Sequence, residues 1–149
     1  MKIGILGGTF DPPHIGHLNI SLEATKRFQL NKVLWLVTKK NPLKKNNSSN
    51  DISNRIKSEH KYYFIMGADS FVKFNQWKKY NEILNKLSII VVNRPEFSIK
   101  SLNSIAAKKL EKYKSLNLAS KDKQHRWYFL STKGMNVSSS KIKKAINAN

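Results

Sequence analysis

With 149 residues, 40% of them hydrophobic, the chain is sized for one domain with a core of its own, and no apolar run approaches the roughly 20 residues of a membrane span. It has no cysteine, which excludes disulfides, thiolate zinc sites and cysteine nucleophiles together, and with no visible secretory signal a cytoplasmic protein is expected. The 28 Lys and Arg against 9 Asp and Glu call for an anionic partner, nucleic acid or nucleotide, although a coding bias toward Lys, Asn and Ile gives the same balance without function.

Lys2 to Leu6 is a short apolar run of strand type that ends in glycines. Pro12 and Pro13 suit a first helical turn, and Ile15, Leu18, Leu22 and Phe28 supply an apolar face as far as Gln29. Val33 to Val37 is a second strand, Thr38 to Asn54 a polar loop, and Tyr62 to Met66 a third strand closed by Gly67. Phe74 to Leu87 suits a helix, and Ser88 to Val92 is a fourth strand stopped at Arg94-Pro95. Ser98 to Tyr113 reads as helix, Trp127 to Leu130 as a fifth strand, and Ser138 to Ile146 as a short helix with serine available as N-cap. Strands alternate with helices and are near-continuous apolar runs. That predicts an α/β fold, a Rossmann-like parallel sheet with helices on both faces.

The junction after the first strand, GILGGTFDPPHIGHLNI, carries the chemistry. Open parallel sheets bind ligands at the C-terminal ends of their strands. Glycines admit close backbone approach, and a helix N-terminus adds free N–H groups and a partial positive charge, which together make a phosphate site. His14 and His17, three apart, fall near one helix face and can donate to phosphate oxygens, and bound polyphosphate favours their charged forms. A metal held by Asp11, His14 and His17 is the weaker alternative, because helical zinc pairs are spaced four apart with a glutamate between and Pro13 and Gly16 interrupt the geometry. A merely structural turn ranks ahead of the metal, next after phosphate. No metal site is expected, and the dinucleotide and P-loop fingerprints are both absent.

The run G-G-T-F-D-P-x-H-x-G-H resembles the signature of the HxGH nucleotidyltransferase superfamily. Within it, YYFIMGADSFVKFNQW (Tyr62 to Trp77), IIVVNRP (Ile89 to Pro95) and VSSSKIK (Val137 to Lys143) resemble segments of bacterial nicotinate-nucleotide adenylyltransferase. The resemblance implies a single nucleotidyltransferase domain over residues 1–149. It would transfer AMP from ATP to nicotinate mononucleotide, giving deamido-NAD and pyrophosphate by direct in-line displacement, with Mg2+ accompanying ATP. It also implies site residues. His14 and His17, with Lys44 and Lys143, would act on the phosphates. Gly7, Gly8, Thr9 and Phe10 would line the nucleotide cleft, and Gly67 and Asp69 would contact the ribose and adenine side. Ser138, Ser139 and Ser140 would hold phosphate. Trp77 would stack on the nicotinate ring, with Arg94 beside the acceptor. Alone, Trp77 reads more readily as an ordinary core tryptophan, and Asp69 reads also as a helix cap and Arg94 as a surface charge beside a turn.

Three departures from the family pattern stand out. Lys143 and Ser140 replace the arginine and threonine of I-S-S-T-x-I-R, and Lys143 keeps the charge without the planar fork. Pro42-Leu43-Lys44 stands for P-x-H-K, without the histidine. The 45–61 region is shorter by about one βα unit, and the chain stops at Asn149, short of the family's final helix. The reduction leaves a degenerate, non-catalytic remnant as one alternative. A related enzyme with another acceptor, such as phosphopantetheine, is a second, although G-A-D-S followed by tryptophan resembles the pyridine-nucleotide branch. Neither membrane nor nucleic acid is expected as a partner, despite the charge.

Overall fold

The computed structural model describes residues 1–37, 59–94, 96–115, 126–133 and 139–147. Five strands, β1 (Lys2–Gly8), β2 (Lys32–Val37), β3 (Lys61–Gly67), β4 (Ser88–Val92) and β5 (Trp127–Leu130), form one sheet in the order β2-β1-β3-β4-β5. Every pairing is parallel, with Leu6 opposite Trp35 on one side and Ile65 on the other, and Gly67 opposite Val92. β3 and β4 lie inside the sheet and bury successive residues on both faces, which is why their sequences run apolar without alternation.

Helix α1 (Ile15–Phe28) covers one face, where Ala24 and Phe28 pack with Leu6, Leu30, Ile65, Ile90 and Val92. The other face carries α2 (Ala68–Phe71), a 3₁₀ turn (Phe74–Gln76), α3 (Tyr80–Lys86), α4 (Ser98–Leu102) and α5 (Ile105–Lys109), over a core of Ile5, Phe64, Phe71, Phe74, Val91 and Trp127. Trp127 is fully buried, and its Nε1–H donates to the Leu110 carbonyl at 2.9 Å, pinning this helical cover to β5. The last described element is α6 (Ser139–Asn147). None of the described helices is long and apolar enough to cross a membrane.

The sequence-based expectations need correction in several places. The prolines do not open α1. His14 is its N-cap and Ile15 its first residue. Ile15, Leu18 and Leu22 are exposed, and the buried face consists of Gly16, Ser21, Ala24 and Phe28. The small residues let the helix axis come close to the sheet, which turns the larger aliphatics outward. The expected helix Phe74 to Leu87 is a 3₁₀ turn followed by α3, separated by Lys79 in the left-handed region at φ 64°. The expected helix Ser98 to Tyr113 is broken because Ser104 starts a new one, its Oγ accepting from the Ala107 N–H at 3.1 Å. The Val33 to Val37 run is an edge strand with Leu34, Trp35 and Val37 exposed. The expected loop Thr38 to Asn54 lies outside the described residues.

From β1 the chain runs first to β2 on one side and then to β3 on the other. That reversal opens a crevice beyond the C-terminal ends of β1 and β3, the place where an open parallel sheet takes a ligand.

Candidate active site

The segment leaving β1 and the start of α1 bring His14 and His17 together. His14, at the N-cap, has extended backbone, and its carbonyl accepts from the His17 N–H at 2.9 Å. In return the His14 backbone N–H donates to His17 Nδ1 at 3.2 Å. An Nδ1 that accepts carries no proton, so the proton of a neutral His17 sits on Nε2, ready to donate. The two imidazoles stack with ring centroids 3.8 Å apart. Burial, then His14, then Arg94 hold His17 far below an ordinary imidazole, at about 4. His14 is lowered as well, by burial first and Arg94 second. In the free protein both shifts favour the uncharged imidazoles at neutral pH.

Phe10 lies behind His17. It is buried, in the left-handed region at φ 47°, with its ring edge-on to His17 at 4.9 Å and stacked on Trp35 at 5.0 Å. Thr9 is exposed beside it. A Cβ at Gly7 would press on the Phe64 ring at 3.3 Å, while one at Gly8 would meet the Phe10 ring at 3.4 Å, an ordinary contact.

Gly67 and Asp69 follow β3. Gly67 is the N-cap of α2, and a side chain there would collide with the Asp69 carboxylate, which folds back over the strand end. Asp69 Oδ2 accepts from Arg94 Nη1 at 3.4 Å, while Asp69 Oδ1 and His14 Nδ1 are buried without a partner among the described residues. Unsatisfied polar atoms at the end of a crevice suit a polar ligand. Arg94 follows β4, so its pair with Asp69 ties two strand ends together. Asn93 ties in a third, its Oδ1 accepting from the Thr132 N–H at 2.7 Å and its Nδ2 donating to the Thr132 carbonyl at 3.1 Å.

From α6, Lys143 Nζ reaches Asp11 Oδ2, which carries the C-terminal motif back to the first junction. That contact also occupies the carboxylate of the alternative metal site. Among the described residues no group of three or more His, Cys, Asp or Glu is placed to hold an ion. Ser139 and Ser140 open α6, while Ser138 and Lys44 lie outside the described residues. Trp77 has its ring contacts with Phe64 at 6.1 Å and Phe74 at 5.4 Å, and is half-buried against the far-face core. Sequence reasoning missed Ser21 and Trp35, which back the His17 turn, because neither belongs to a motif. The shallow depression of about 380 Å³ lined by Met1, Lys2, Gln29, Asn31, Glu59 and Lys61 is at the opposite, N-terminal end of β1 and β3.

A parallel sheet with a stacked histidine pair at its switch point, glycines beneath it and cations around it defines a nucleotidyltransferase. Residues 5–62 and 48–145 match the cytidylyltransferase-like family. A probable nicotinate-nucleotide adenylyltransferase of Pelagibacter ubique is 35% identical over 179 residues, spanning 96% of this chain and 92% of that protein. One from Ruegeria sp. strain TM1040 is 30% identical, spanning 97% of each. The chain belongs to the nicotinate-nucleotide adenylyltransferase family. Its fold matches that of Plasmodium falciparum nicotinic acid mononucleotide adenylyltransferase complexed with NaAD, at a TM-score of 0.67 and 16% identity over 96% of this chain and 82% of that one. The 179 aligned residues of the Pelagibacter comparison exceed the 149 of this chain, so that relative carries residues with no counterpart here.

Proposed function

We propose that this chain transfers AMP from ATP to nicotinate mononucleotide, releasing pyrophosphate and forming deamido-NAD. The observation that carries the reading is the stacked His14–His17 pair at the crevice between β1 and β3, in a chain of this family. An oxygen of the acceptor's phosphate attacks the α-phosphorus of ATP. A new P–O bond forms as the bond to the bridging oxygen breaks, and the electron pair leaves on pyrophosphate. The acceptor oxygen is already ionised, so no enzyme base is needed, and catalysis is positioning and charge stabilisation. His17 Nε2–H and His14 donate to the transferring and leaving phosphates, with Lys143 and Lys44 as further cations. Gly7, Gly8, Thr9 and Phe10 line the cleft. Gly67 and Asp69 face the ribose and adenine. Ser138, Ser139 and Ser140 hold phosphate, and Trp77 and Arg94 serve the acceptor. Magnesium enters with ATP as part of the substrate, and the setting is cytoplasmic. The whole chain works as one domain, reduced in the 45–61 region.

A second reading, a non-catalytic remnant, is favoured by the residues that the Pelagibacter relative carries and this chain does not. Pyrophosphate release from Mg-ATP by the purified chain, with and without nicotinate mononucleotide, decides between them. Release that depends on the acceptor supports the enzyme. None, from protein shown to be folded, supports the remnant.

A further inference from the structure

The edge strand β2 contributes a side chain that no motif contains. Trp35 is opposite Leu6 in register and so shares the sheet face that α1 covers. Its Nε1–H donates to Ser21 Oγ at 2.9 Å, and that hydroxyl donates to the His17 carbonyl at 3.0 Å. Its ring stacks on Phe10 at 5.0 Å and meets the His17 ring edge-on at 5.9 Å. One indole therefore touches both walls of the phosphate crevice, the loop after β1 and the first turn of α1. Phe10 has a backbone conformation that costs a side-chain-bearing residue free energy, so it needs such a partner. The His17 ring, with Phe10 and Trp35 behind it and His14 in front, has little room to rotate away from the His14 N–H that its Nδ1 accepts.

We propose that Trp35, acting through Ser21 and Phe10, is a positioning residue that holds the His17 imidazole with Nε2–H turned into the phosphate crevice. This deepens the adenylyltransfer reading, on which its kinetic consequence rests. Trp35 does not touch substrate. Its work is to keep the donor from swinging, and a donor misplaced by a fraction of an ångström loses transition-state stabilisation before it loses binding.

The test combines Trp35→Ala, Trp35→Phe, Ser21→Ala and the Trp35→Phe/Ser21→Ala double variant. The first readout is the ¹⁵N spectrum of the His17 ring in the free protein, which separates a bare Nδ1 from a protonated Nε2. The wild type should show that one tautomer, and Trp35→Ala should show a mixture. The second readout is pyrophosphate release, where kcat should fall about tenfold in Trp35→Ala with the KM for nicotinate mononucleotide unchanged. Trp35→Phe removes the indole–Ser21 hydrogen bond, while Ser21→Ala removes that bond together with the one from Ser21 to the His17 carbonyl. Trp35→Phe should cost roughly threefold and Ser21→Ala roughly fivefold, with the double variant no worse than Ser21→Ala alone. An unchanged His17 spectrum in folded Trp35→Ala overturns the proposal, as does an additive double variant. If the wild type releases no pyrophosphate, the adenylyltransfer reading fails, and the ¹⁵N arm still decides the role of Trp35.

Discussion

His17 concentrates the chemistry of the site. Its Nδ1 is taken by a backbone N–H, its ring is walled by aromatics, and its charge is suppressed by burial first, then by the neighbouring His14 and Arg94. On the role proposed for it, as a donor to developing charge, replacing it with alanine should slow pyrophosphate release by roughly 100-fold or more while the fold survives. An unchanged rate removes His17 from the mechanism. The same suppression sets a pH dependence. Unfolded, the imidazole takes a proton near its ordinary 6.5, but folded it resists protonation down to about 4. Between those values the unfolded chain binds more protons, so protonation favours unfolding, and stability should decline as pH falls from about 6.5 toward 4. Thermal melts across that window should show a steeper acid loss in the wild type than in His17→Gln. Equal slopes would mean that the folded His17 titrates normally.

At the scale of elements, the helical cover of the far face is a series of short pieces joined by side-chain hydrogen bonds, and Ser104 is the clearest joint. Its buried hydroxyl donates to the Ser101 carbonyl at 2.7 Å and accepts from the Ala107 N–H at 3.1 Å, ending α4 and starting α5 with one group. Ser104→Ala takes the capping hydroxyl from the Ala107 amide, while the Ser101 carbonyl keeps the Ser104 N–H, and should cost about 1 kcal/mol in urea denaturation. A neutral substitution would show that α4 and α5 can run together as one helix, as the apolar spacing of Ser98 to Tyr113 suggests. On the α1 face the sequence misleads in the opposite way. Ile15, Leu18 and Leu22 have helix spacing, yet Gly16, Ser21 and Ala24 face the sheet because small residues permit the closer approach.

For the whole molecule, charge is the governing quantity. A net charge of +19 on 149 residues makes the chain repel itself, and the few carboxylates in the site region, Asp11 and Asp69, are already paired with Lys143 and Arg94. Screening should therefore stabilise the fold. Raising NaCl from about 20 to about 200 mM shortens the Debye length severalfold and should raise Tm by roughly 2–4 °C. A polyphosphate should do more at far lower concentration if the excess positive charge converges on the crevice. A Tm that falls with salt would show that attractive pairs outweigh the repulsion.

How much of this was legible in sequence follows from range. The strands β3, β4 and β5, the parallel α/β class and the junction residues Gly7 to His17 could be read because each rests on local signals, namely apolar runs, glycines and a motif held within one turn. The sequence by itself determined the chemistry available at that junction and the family it resembles. Only the tertiary structure decided that Lys143 comes back to Asp11, that Arg94 pairs with Asp69, that Trp77 packs on Phe64 and Phe74, and that Trp35 and Ser21 stand behind His17. Those contacts depend on strand order and on the face each helix presents, and both are settled by packing between segments far apart in the chain, which no local pattern encodes.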